Sequence, residues 1–232
     1  MSDPHSAVAH QFDDFEQQTE ASRLGMWAFL VTEIMFFGGL FTGYTMYRSK
    51  FPEAFAAGSH HLDVLLGAIN TAVLIASSLT MALAVNAAEK RHRRRLIGFL
   101  VATMVLGSVF LGIKAVEYGH KFEEHLIPGR SFQYPHSENG DVGSVRLQAG
   151  GNAPLSERAL QLFFSFYFAM TGVHAVHMVI GVGILGVLVV LAARGRFEKN
   201  VNAVENTGLY WHFVDIVWIF LFPLLYLIER HA

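Results

Sequence analysis

Cysteine is missing from all 232 positions. That absence removes disulfides, thiolate metal sites, iron–sulfur clusters and haem attached through paired cysteines, so any cofactor would have to hang on histidine. Charge is sparse as well. Only 16% of residues are Asp, Glu, Lys or Arg while 53% are hydrophobic, far more apolar than an average soluble domain. The formal net charge of -2 carries no basic excess of the kind that marks a nucleic-acid binder, and nucleic acid is not expected as a partner. The stretch 1–23 lacks the basic start and short apolar run of a secretory signal; with Asp3, Asp13, Asp14, Glu16 and Glu20 it reads as a mobile, polar cytoplasmic tail.

What the chain does have is long apolar runs. Five of them, approximately Leu24 to Tyr47, Leu62 to Ala87, Leu96 to Tyr118, Leu160 to Ala193 and Thr207 to Ile228, reach the roughly 20 residues needed to cross a hydrocarbon core at about 1.5 Å per residue. None alternates polar and apolar residues as a lipid-facing barrel strand would. The expected fold is therefore an all-α membrane protein, a bundle of five transmembrane helices occupying 24–232, with a long outer loop at about 119–157 rich in Gly, Ser and Pro.

Orientation follows from the basic residues, because short loops rich in Lys and Arg stay in the cytoplasm. Lys90, Arg91, Arg93, Arg94 and Arg95 crowd the second loop, and Arg194, Arg196 and Lys199 lie in the fourth, on the same side. The N-terminus is thus expected in the cytoplasm and the C-terminus outside. Attraction of anionic headgroups to the basic loop is a secondary reading.

Ionisable residues inside the spans are the main functional clues, since each needs a partner, a proton or a wet cavity. Glu33 lies about 15 Å into the first span, near mid-membrane. Asp215 is at similar depth in the last span, and His212 precedes it by one turn on the same face. A contact of Glu33 with His212 or Asp215 is geometrically open. Glu33 reads either as a protonated acid that fixes helix packing or as a site of proton exchange or lipid-headgroup contact. His212 with Asp215 reads as a structural pair before a titrating relay.

His174 and His177, at i and i+3, raise haem or metal ligation. A membrane di-haem protein needs histidines on different helices at matching depth. His174 falls nearer the outer half and His212 about 10 Å from the cytoplasmic side, so hydrogen bonding between helices is preferred. Lys114 and Glu117, one turn apart at the outer edge of the third span, are expected to pair while the lysine snorkels, as an interfacial anchor. Asn70, Thr71, Ser77, Ser78, Gly39 and Gly43 read as close-packing positions.

The segment Tyr210-Trp211-His212-Phe213-Val214-Asp215-Ile216-Val217-Trp218 resembles a signature of subunit III of the haem-copper cytochrome c oxidases. Thr171-Gly172-Val173-His174-Ala175-Val176-His177, Asn70-Thr71-Ala72-Val73-Leu74 with Ala76-Ser77, and Glu117-Tyr118 resemble other motifs of that family, in the family's order. Thr32-Glu33-Ile34-Met35-Phe36-Phe37 resembles the place of its membrane-buried, carbodiimide-reactive glutamate. The resemblance covers about Gly25 to the C-terminus. It implies a subunit without haem or copper that packs against catalytic subunit I and other oxidase subunits, binds phospholipid, supports proton uptake and protects the catalytic centre during turnover. Glu33 would be the carried-over carboxylate, with His212 and Asp215 as neighbours.

Two departures stand out. Mitochondrial-type members have seven spans, and the pair missing here forms one wall of their lipid cleft, so a lipid site in this chain needs that wall from another subunit. The outer loop near Ser131 to Arg158 is also longer than in that form, and Lys114 replaces an uncharged polar residue. Five spans are common in bacterial members, which implies a bacterial inner membrane. Alternatives are the related membrane subunit of a nitric oxide reductase or quinol oxidase and, from a different class, a free-standing transporter or a haem-carrying membrane anchor.

Overall fold

The computed structural model describes residues 11–12, 14–123, 153–195 and 201–228. Six helices follow one another: α1 Phe15–Lys50, α2 Pro52–His60, α3 Val64–Glu89, α4 Arg93–Glu123, α5 Ala153–Ala193 and α6 Val201–Tyr226. Among the described residues there is no strand. Five helices, all but α2, are long and apolar enough to cross a membrane.

The first helix starts earlier than expected. Asp14 caps it, accepting from the Gln17 N–H at 2.7 Å, so the polar stretch before Leu24 is helical from Phe15 onward rather than a mobile tail. At 36 residues, α1 is about 54 Å long, well beyond a hydrocarbon core of about 30 Å, and its polar first turns extend past the apolar segment. Phe51 ends α1 and Pro52, which has no N–H to leave unpaired, opens the short α2. Asp63 caps α3 by accepting from Leu65 and Leu66 N–H at 2.9 and 3.2 Å. Helices α4 and α5 extend to Glu123 and from Ala153, shortening the expected outer loop at both ends; the rest of that loop lies outside the described residues.

Packing is organised around a square. Helix α3 packs against α4, α4 against α5, α5 against α6, and α6 back against α3, while α1 lies outside on α5 and α6 and α2 covers the N-terminal part of α5. Two tryptophans of α6 fill the square. Trp211 lies between Gly107 of α4 and Gly181 of α5, where an added Cβ would come within 2.7 and 2.9 Å of its ring. Its Nε1 donates to Ser77 Oγ on α3 at 2.9 Å. Trp218 stacks edge-on against Phe110 at 4.8 Å and donates to Thr71 Oγ1 at 3.1 Å. Thr71 and Ser77, expected as close-packing positions, thus accept from the two indoles where α3 meets α6. Gly39 is different: nothing lies within 4 Å of where its Cβ would be, because this part of α1 faces away from the bundle.

The tight turn between α3 and α4 puts Arg91 in the left-handed region at φ 56°. This turn brings Arg93 onto the end of α5, where Nε donates to the Ala192 carbonyl at 2.8 Å and a second guanidinium N–H reaches the Ala193 carbonyl. As last-turn carbonyls they have no partner within α5 itself, although Ala192 also accepts from the Gly195 N–H at 3.2 Å, so one of the basic residues read as a topology signal is also a helix cap.

Candidate functional site

Two polar sites lie within the membrane-spanning part. The first joins α1 to α5. Glu33 Oε2 stands 3.2 Å from His177 Nε2, both side chains being mostly but not fully covered, at 19% and 15% exposure. His177 Nδ1 lies 2.9 Å from the Val173 carbonyl. A carbonyl can only accept, so Nδ1 carries a proton, leaving Nε2 to face the carboxyl group. The contact is within ion-pair distance but lacks hydrogen-bond geometry, so Glu33 Oε2 has no hydrogen-bond partner among the described residues. Phe37 and Tyr210 flank the imidazole, with ring centroids at 5.7 and 6.4 Å, and Tyr210 is held by donating to the His177 carbonyl at 2.8 Å.

Glu33 therefore meets His177, not His212 or Asp215. The reason is azimuthal: α1 packs on the α5–α6 side, whereas the stripe of α6 holding His212 and Asp215 faces α3. There His212 Nδ1 pairs with Ser78 Oγ at 2.7 Å. Asp215 is buried beside the same serine, but neither carboxyl oxygen has a hydrogen-bond partner among the described residues.

The second site lies within the square. Lys114 and Glu117 do pair, at 2.9 Å, but neither snorkels: their residues are 5% and 4% exposed. Glu117 Oε1 accepts from Tyr167 of α5 at 2.8 Å and Tyr226 of α6 at 2.6 Å. Lys114 also donates to the Tyr226 hydroxyl at 2.5 Å, and its Nζ lies 4.6, 5.1 and 5.4 Å from the ring centres of Trp218, Tyr226 and Tyr167. Glu117 is thus met by the ammonium and two hydroxyls, and Lys114 by the carboxylate, one hydroxyl and three aromatic rings. Nearby, Tyr118 pairs with Thr171 at 2.5 Å, and Lys121 donates to the His61 carbonyl at 2.7 Å, tying α4 to the turn after α2.

This burial was readable. Leu96, Leu100, Thr103, Gly107, Phe110, Lys114, Glu117 and Lys121 form the buried stripe of α4, spaced by alternating fours and threes, so both charges fall on the inward face. Counting residues from the membrane edge had given depth but not direction. Nothing in the sequence pairs Tyr167 or Tyr226 with Glu117; the bundle brings them together from 50 and 109 residues away.

The histidines do not converge. His174 is packed between Phe110 and Trp218, at 5.5 and 5.3 Å, and its Nε2 has no hydrogen-bond partner among the described residues, so the expected interhelical hydrogen bond is not made through that atom. Among the described residues no three His, Asp or Glu side chains gather as metal ligands would.

A multi-pass helical membrane protein with ionisable side chains buried between its helices is the class that this architecture defines. The family model for cytochrome c oxidase subunit III matches residues 10–123 and 153–229, and the chain belongs to that family. It is 30% identical to cytochrome c oxidase subunit 3 of Thermostichus vulcanus over 96% of this chain and 92% of that protein. It is 27% identical to the probable quinol oxidase subunit 3 of Staphylococcus haemolyticus, over 95% of this chain and 97% of that one. It is also 27% identical to the cytochrome bo(3) ubiquinol oxidase subunit 3 of Pseudomonas aeruginosa, over 98% and 94%. The resemblance in the sequence motifs therefore extends along nearly the whole chain. As a subunit III, the protein associates with other subunits of a haem-copper respiratory oxidase.

Proposed function

We propose that this chain is an accessory subunit of a proton-translocating terminal oxidase in a bacterial inner membrane, that it packs on catalytic subunit I, and that it holds no haem or metal of its own. Its N-terminus faces the cytoplasm, in keeping with the basic residues of the sequence segments 90–95 and 194–199. Its role is to support proton uptake and the lifetime of the catalytic subunit, with phospholipid bound along its outer surface. The observation that carries this reading is the Glu33–His177 contact, an acid and an imidazole 3.2 Å apart and partly exposed at the edge of the bundle.

The reading without a resident cofactor rests on how the three histidines within the spans are engaged: His177 with Glu33, His212 with Ser78, His174 between two aromatic rings. Relatives named for cytochrome c and for quinol match this chain alike, since the electron donor is chosen by other subunits; cytochrome c is our reading for the parent oxidase.

Purification of the complex tests both parts. The chain should co-purify with a subunit carrying the haem and copper, and oxygen consumption should be driven by reduced cytochrome c. A Soret band on the separated chain, or a chain that runs alone, counts against the reading. Glu33→Gln should leave assembly intact while changing proton uptake rate, turnover lifetime or retained lipid; no change in all three would reduce Glu33 to a packing residue.

A further inference from the structure

Three helices of the α3–α6 square each bring an incompletely satisfied polar group to the level of Trp218. Asn70 of α3 is fully buried, and neither its Oδ1 nor its Nδ2 has a hydrogen-bond partner among the described residues. His174 of α5 is 1% exposed with Nε2 unpartnered. Lys114 of α4 has three N–H donors and spends two, on Glu117 and Tyr226.

The register places these groups together. Trp218 donates to Thr71, the residue next to Asn70, and its ring touches His174 and stands over Lys114 Nζ. Gly67, one turn from Asn70 on the same buried face of α3, meets the rings of Phe222 and Tyr226. Thr80 of α3 pairs with Thr103 of α4. Counting ten residues back along α3 and ten forward along the antiparallel α4 sets Asn70 beside Ile113 and Lys114.

Their chemistry is complementary to one small molecule. The amide offers an acceptor and donors, the imidazole one ring nitrogen, and the ammonium one N–H. Water can accept from Lys114 and donate to Asn70 Oδ1 or His174 Nε2. Lipid cannot reach the centre of the square, and a dry site would leave buried amide and imidazole groups without the partners that such groups almost always have.

We propose that the centre of the α3–α6 bundle is a built internal water site, in which ordered water hydrogen-bonds the Asn70 amide and His174 Nε2 and takes the third N–H of Lys114. It extends the Lys114–Glu117–Tyr226 network to α3, so that all four helices share one hydrogen-bonded layer.

A water-resolving density map of the complete oxidase complex reads this directly: density within hydrogen-bond reach of Asn70 and Lys114 is expected, and an empty space there overturns the proposal. Substitution reads it independently through the sign of the effect. Asn70→Leu is nearly isosteric. If the site is wet, the variant displaces water, strands the Lys114 donor and lowers the melting midpoint of the complex by a few degrees, by less in a Lys114→Met background. If the site is dry, it replaces an unpaired amide by an apolar group and raises the midpoint, which overturns the proposal. Should Asn70→Leu fail to accumulate, Asn70→Ala opens space in the same place and is expected to show an additional ordered water; a space still empty in that variant overturns the proposal too.

Discussion

Tyr226, near the end of the last helix, donates to Glu117 Oε1 at 2.6 Å while accepting from Lys114 at 2.5 Å, so one hydroxyl joins both members of the buried ion pair. The pair is therefore a three-helix junction, with Tyr167 supplying α5.

Removing one charge from that junction should be far worse than removing both. Lys114→Met leaves Glu117 buried without its counter-ion, at an expected cost of about 3–5 kcal/mol. Lys114→Met combined with Glu117→Leu removes the stranded charge, and should recover most of that loss, leaving the unsatisfied tyrosine hydroxyls at about 1–3 kcal/mol. Thermal midpoints of the purified complex and the amount of chain retained in it check the ordering.

An apolar carbodiimide should separate the two membrane glutamates. Glu33 is 19% exposed at the edge of the bundle and Glu117 is 4% exposed at its centre. Peptide mapping by mass spectrometry is expected to find the adduct on Glu33, to lose it in Glu33→Gln, and to find none on Glu117. An adduct on Glu117 would show that the square opens.

Glycines that look alike in the sequence should differ sharply. Gly107→Ala and Gly181→Ala put a Cβ within 3 Å of Trp211, while Gly112→Ala and Gly183→Ala meet nothing within 4 Å. The first two should each cost about 1–3 kcal/mol by overpacking. The second two should be neutral or slightly stabilising, as glycine is a poor helix former. Melting midpoints of the four variants decide it.

Arg93→Lys isolates the cap from the charge. Lysine keeps the positive residue that biases topology but cannot reproduce a planar fork on two carbonyls. Insertion direction should be unchanged, and stability should fall by about 1–2 kcal/mol as one hydrogen bond to a charged group is lost. Protease accessibility of the loop, together with the thermal midpoint, tests both halves.

The five spans were legible because a membrane helix is written as an uninterrupted apolar run, and each run needs no partner to be recognised. Helix α2 was not, since nine residues with Pro52 at the start and Gly58 within make no span; it is held by docking on α5, where the Gly58 backbone lies so near Phe163 that a Cβ would sit at 2.3 Å. Glu33 was legible as an oddity in hydrocarbon, but its partner was not: His177 and His212 are both histidines near mid-membrane, and only the side on which α1 packs chooses between them. The burial of Lys114 was present in the spacing of α4 and was obscured by its nearness to the membrane edge.

The buried ion pair has a bearing on biogenesis, because its two charges come from adjacent turns of one helix. As α4 leaves the insertion machinery, Lys114 and Glu117 can already neutralise each other at i and i+3. The third span can thus partition into lipid before α5 and α6 have been synthesised, and the tyrosines that arrive later close over a pair already formed.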